Sequence, residues 1–149
     1  MAGIQIEPSP NKLVLKPAED RDELIPSVQA AGLAIVKLLP HTPLQGVGCN
    51  YYFRLAEGED LAAKLNMDLE SLKKSYADAG LPELKSAEIK QRFEYQNGWI
   101  DVTPRSEGDF VLNFHQTVKN ADQAIQAISK FAELRQQAEG LARQLVAKM

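Results

Sequence analysis

The stretch EIKQRFEYQNGWIDV, residues 88–102, constrains this chain more than any other. Asn97-Gly98 sets side by side two residues that tolerate positive φ, which a two-residue hairpin turn of type I′ requires. With that pair as the turn, Gln96 faces Trp99, Tyr95 faces Ile100, Glu94 faces Asp101 and Phe93 faces Val102. One face then carries Ile89, Phe93, Tyr95, Ile100 and Val102, and the other Glu88, Lys90, Arg92, Glu94 and Asp101. Alternation and turn chemistry agree, so a hairpin is expected with Phe93 in the core. Glu94 against Asp101 is a like-charge misfit that Arg92 or Lys90 offsets.

Other segments supply its neighbours. Asn11 to Pro17 reads as a short edge strand bounded by Pro10 and Pro17, which cannot donate to a ladder. From Asp20 to Leu39, the spacing of Leu24, Val28, Ala31, Ile35 and Leu38 predicts a helix, with Pro26 in its first turn and Pro40 as its stop. Val47, Cys49, Tyr51, Phe53 and Leu55 alternate with Gly46, Gly48, Asn50, Tyr52 and Arg54, as in a half-buried strand. Residues 58–80 read as helical, stopped by Gly80 and Pro82. Phe110, Leu112 and Phe114 alternate with Val111, Asn113, His115 and Thr117 in a last strand. Asn120 or Asp122 caps a long C-terminal helix striped by Ala124, Phe131, Leu134, Ala138, Leu141 and Leu145.

The expected fold is α+β: a single domain over 1–149, with an antiparallel sheet of about five strands, helices on one face and a long C-terminal helix. The order β-α-β-(α)-β-β-β-α resembles helix-grip and TATA-binding-protein-like topologies. The resemblance is one of element order and implies a shape without an activity.

Composition narrows the function. A formal charge of −3 disfavours a nucleic-acid protein, since phosphate neutralisation calls for a basic excess. One cysteine excludes an internal disulfide framework and any multi-thiolate metal site, and it fits a cytoplasmic setting. No basic-then-apolar start and no apolar run near ~20 residues are present, so neither export signal nor membrane span is read.

Recognisable chemistry is absent. Gly46-Val47-Gly48 is a G-x-G, but Tyr51 stands where a dinucleotide fingerprint needs its third glycine, and a strand follows instead of a helix. Cys49 has the parity of a small buried hydrophobe. His41 and His115 lack metal-ligand spacing. The carboxylates Asp20, Asp22, Glu23, Glu57, Glu59 and Asp60 cluster at helix starts, where the helix dipole favours them. No catalytic residue, cofactor or metal site is assigned.

The polar sheet face is the informative feature. Gly46, Gly48, Tyr52, Arg54, Lys90, Arg92, Trp99, Asn113 and His115 form a candidate interaction surface, with Gln96, Thr103 and Thr117 on the same face. The leading expectation is a non-catalytic interaction or assembly protein. It would associate as a homodimer through that face or the C-terminal helix, with another protein as a further partner. An alternative is a small-molecule binder or enzyme with an apolar cavity between sheet and helix, lined by Tyr51, Phe53, Phe93, Tyr95, Phe114 and Phe131. A second alternative stacks single-stranded nucleic acid on Tyr52 or Trp99, against the repulsion of Glu88, Glu94 and Asp101.

Overall fold

The N-terminal residues form a hairpin. Ile4–Ser9 (β1) and Lys12–Pro17 (β2) pair antiparallel around Pro10-Asn11, with Ile6 opposite Leu15 and Ser9 opposite Lys12. Ser9 Oγ donates to the Lys12 carbonyl at 2.9 Å, and Lys16 meets Glu7 at 2.6 Å. The alternation predicted β2 alone; β1 carries only Ile4 and Ile6 before Pro8 and becomes a strand by pairing with β2. These coordinates come from a computed structural model that describes residues 3–19, 21–54, 69–80, 90–104 and 109–147.

A single 3₁₀ turn, Asp22–Leu24, leads into helix α1 (Ile25–Leu38), with Pro26 in its first turn as expected. Its buried stripe is Val28, Ala31, Gly32 and Val36, rotated from the expected one, and Leu38 is 77% exposed. Gly32 fits that stripe: a Cβ there would stand 3.3 Å from Ile128 and 3.5 Å from Leu15, so the glycine lets the helix lie close to its neighbours. Strand β3 (Gly46–Arg54) then follows with Cys49 and Tyr51 buried and Gly46, Gly48, Asn50, Tyr52 and Arg54 exposed, matching the predicted parity. Of the helix expected over 58–80, Leu69–Asp78 (α2) lies within the described residues, and Gly80 ends it at φ +76°.

Strands β4 (Gln91–Tyr95), β5 (Gly98–Pro104) and β6 (Asp109–Thr117) join β3 in a four-stranded antiparallel sheet of order β3-β6-β5-β4. The described chain therefore has six strands in two sheets. The hairpin forms, but its turn is Gln96-Asn97, with Gln96 at φ 49°. Tyr95 faces Gly98, Glu94 faces Trp99, Phe93 faces Ile100 and Arg92 faces Asp101. This corrects the predicted register by one residue at the turn. Each strand residue keeps its face, because partners shift by two along the other strand. The shift also removes the Glu94–Asp101 misfit and sets an arginine against the aspartate.

After β6, Asn120 caps helix α3 (Ala121–Ser129), its Oδ1 accepting from the Gln123 amide at 2.9 Å. Helix α4 (Phe131–Ala147) is separate, so the C-terminal helical stretch is broken at Lys130 instead of running unbroken from Asn120. Gln29 of α1 occupies the break. Its Nε2 donates to the Ser129 carbonyl, and its Oε1 accepts from the Ala132 amide, both at 3.1 Å.

The chain groups into two compact units, residues 1–49 with 115–137 and residues 50–114 with 138–149. In the first, Val36, Val118, Ala124 and Ala127 form a buried cluster with Leu44, Val47, Ala121, Ile125 and Ile128 packed against it. In the second, Phe110, Leu112 and Phe114 are each 1% exposed. No described helix is long and apolar enough to cross a membrane.

Candidate interaction surface

Arg92 and Asp101 stand opposite each other on neighbouring strands of the second unit, so their side chains project from one face. Arg92 Nε–H donates to Asp101 Oδ1 at 2.7 Å and Nη2–H to Oδ2 at 3.0 Å, the bidentate fork that guanidinium geometry favours. Trp99 lies two residues before Asp101, on the same face, and its Nε1–H donates to Oδ2 at 3.2 Å. The Arg92 guanidinium carbon also sits 4.3 Å from the Trp99 ring centroid, within cation–π range. Arg92 is thus held by a carboxylate and an aromatic face together.

Part of the polar face is buried. Asp101 is 3% and Thr103 5% exposed. A carboxylate so placed needs partners, and three donor groups supply them. The Arg92 hydrogen bonds hold the Asp101 carboxyl below the usual carboxylate range, helped by the charges of Arg92 and Lys90 and the Trp99 bond, while burial acts in the opposite direction. The same pairing raises the Arg92 guanidinium above its ordinary value.

Farther along this unit, Arg54 on β3 reaches Asp109 on β6 through Nε and Nη2 at 3.1 and 3.4 Å. Tyr52, two residues earlier, is 68% exposed. Asn113 on β6 has a buried Oδ1 with no hydrogen-bond partner among the described residues. In the first unit, the His115 imidazole lies over Gly46: a Cβ on Gly46 would come within 2.6 Å of its Cε1 and Nε2. The glycine makes room for a histidine of the same chain, a neighbour that strand parity alone does not reveal. Gly48 is exposed.

The expected cavity residues divide. Tyr51 and Tyr95 both meet the Phe114 ring edge-on, at centroid distances of 5.9 and 5.7 Å, and Phe53 stacks on Phe110 at 5.3 Å. Phe93 is 53% exposed, correcting its placement in the core. It belongs to the edge strand of the sheet, with a strand beside it on one side only among the described residues. Phe131 is half-buried at the start of α4.

Among the described residues no group of three or more His, Cys, Asp or Glu side chains could hold a metal ion. No protein-family model, curated protein or solved structure matches this chain.

Proposed function

We propose that this chain is a non-catalytic interaction or assembly protein that associates with a second copy of itself through the sheet of its 50–114 unit. The carrying observation is charge compensation beside exposed aromatics. Arg54 and Arg92 are engaged by Asp109 and Asp101, while Tyr52 and Phe93 are 68% and 53% exposed. Aromatic residues and arginine are the types enriched where proteins meet, and closed twofold dimers are the commonest soluble oligomers. The C-terminal helix offers less, with Leu141 at 36% exposure.

The same compensation argues against phosphate backbone binding, which needs uncommitted cations. Ring-on-ring packing of Tyr51, Phe53, Tyr95, Phe110 and Phe114 argues for a filled interior in place of a ligand cavity. A cytoplasmic setting agrees with a single, buried cysteine.

Sedimentation equilibrium across the micromolar range tests the reading. A mass approaching twice that of the chain as concentration rises is the expected result. A single-chain mass throughout would refute it.

A further inference from the structure

Among the described residues strand β4 ends the four-stranded sheet, and its central residues Arg92, Phe93 and Glu94 are all exposed. A sheet edge is a template for another strand unless proline, a bulge or repelling charges block it. β4 has no proline, and its two charges are of opposite sign. What it accepts is decided by which backbone groups point outward and by the order of its side chains.

The backbone comes first. Across a two-residue turn the flanking residues form a hydrogen-bonded pair, here Tyr95 with Gly98, and such pairs alternate along an antiparallel ladder. Tyr95, Phe93 and Gln91 therefore direct their amide and carbonyl groups at β5. Arg92 and Glu94 direct theirs away from the sheet.

We infer that β4 pairs antiparallel with β4 of a second copy, about a twofold axis through Phe93. This rests on the self-association reading and names its surface. Antiparallel self-pairing centred on residue 93 sets Arg92 opposite Glu94 of the second copy, and Glu94 opposite its Arg92. Those are the residues whose backbone groups face outward, so each pair exchanges both ladder bonds. The side chains agree with the backbone. Opposite residues project from one face, so each such pair joins a guanidinium to a carboxylate, the sign combination that stabilises a cross-strand pair.

Arg92 can serve two carboxylates. Of its five N–H groups, two are given to Asp101, leaving three for Glu94 of the second copy. Its side chain is 54% exposed, and the Asp101 bond fixes its direction in advance. On the opposite face the two Phe93 rings meet at a non-hydrogen-bonded pair, the closer of the two pair types. That contact covers the large apolar side chain that the edge leaves in water. β-Augmentation of this kind draws affinity from the main chain and specificity from alternate side chains. A shift of one residue along the strand would oppose Arg92 to Phe93 and lose the charge match.

The test uses the full chain and three variants followed by sedimentation equilibrium. Glu94→Arg places arginine opposite arginine twice in each dimer, and Phe93→Lys places two ammonium groups at the axis. Each is expected to raise the dimer Kd about tenfold or more, with the far-UV circular dichroism of the wild type. Lys12→Ser, at an exposed position on β2 of the two-stranded sheet, is expected to leave the Kd within about twofold. Amide hydrogen exchange on the wild type adds a readout without substitution: Arg92 and Glu94 amides should slow as concentration rises. A wild-type chain that stays monomeric overturns the self-association reading and this inference together. A dimer whose Kd ignores both β4 variants, or whose Arg92 and Glu94 amides exchange at a concentration-independent rate, overturns the inference and leaves that reading standing.

Discussion

Gln29 of α1 bridges the two ends of a helix break a hundred residues away, donating to the Ser129 carbonyl and accepting from the Ala132 amide at 3.1 Å each. A helix that stops strands carbonyls, and one that starts strands amides. One carboxamide satisfies a group of each kind. The break is therefore held by a long-range contact, with no glycine or proline at Ser129, Lys130 or Phe131 to impose it.

Removing that amide should be felt in stability. Gln29→Ala deletes two hydrogen bonds worth roughly 0.5–1.5 kcal/mol each, so urea denaturation is expected to show a loss of about 1–3 kcal/mol. A loss within experimental error of zero would mean that water replaces the side chain without cost.

Asp101 makes stability pH-dependent. Its folded-state carboxyl is held below its unfolded value by the Arg92 hydrogen bonds, so its contribution is complete above the unfolded value and disappears as pH falls through the folded one. Asp101→Asn removes this behaviour. The stability gap between wild type and variant, measured by urea unfolding, should be widest near neutrality and should narrow below about pH 5. A gap independent of pH across the acid range would contradict the pairing.

Gly46 and His115 compete for one volume. A Cβ at Gly46 would fall 2.6 Å from two imidazole atoms, so Gly46→Ala must displace the ring. The expected cost is about 1 kcal/mol or more in the wild type and close to none in a His115→Ala background. Thermal or urea unfolding of the four chains completes the cycle, and additive effects would show that the ring does not occupy the space.

Core and edge aromatics should separate sharply. Phe110→Ala and Phe114→Ala, each at a side chain 1% exposed, are expected to cost ~3–5 kcal/mol. Phe93→Ala, at 53% exposure, is expected to cost under about 1 kcal/mol in the monomer. Equal losses at Phe93 and Phe114 in urea unfolding would restore Phe93 to the core.

These contrasts show which features local pattern encodes. Strand parity was legible throughout β3, because side-chain alternation is fixed by backbone geometry wherever one face is buried, whereas in β6 Phe110, Leu112 and Phe114 are buried as expected but Val111 of the other parity is buried as well. The helix start was legible as Asn120 or Asp122, and the structure settles on Asn120. Hairpin register was not. Asn97-Gly98 carries the strongest turn preference, yet Gln96 takes the positive φ and the turn lies one residue earlier, with Arg92 against Asp101 in place of Glu94. Phe93 and Leu38 have the spacing of core residues, but their burial depends on what lies beyond the strand edge and the helix end. The second sheet was missed because β1 is short and is made a strand by β2. On the polar face, residue types pointed to Arg92 and Trp99, while the burial of Asp101 beneath them arises only once β4 and β5 are in register.

The most direct measurement of the central claim is an oxidative cross-linking scan of β4. Single cysteines are placed in turn at Gln91, Arg92, Phe93, Glu94 and Tyr95 in a Cys49→Ala background, and covalent dimer is quantified on non-reducing gels. A twofold axis through residue 93 brings those two Cα atoms to about 4.5 Å, within disulfide reach, while every other position faces a different residue and is held farther from its own copy. Dimer yield should therefore peak at Phe93→Cys and fall on both sides of it. A flat profile, or a maximum at position 91 or 95, would contradict the paired edge.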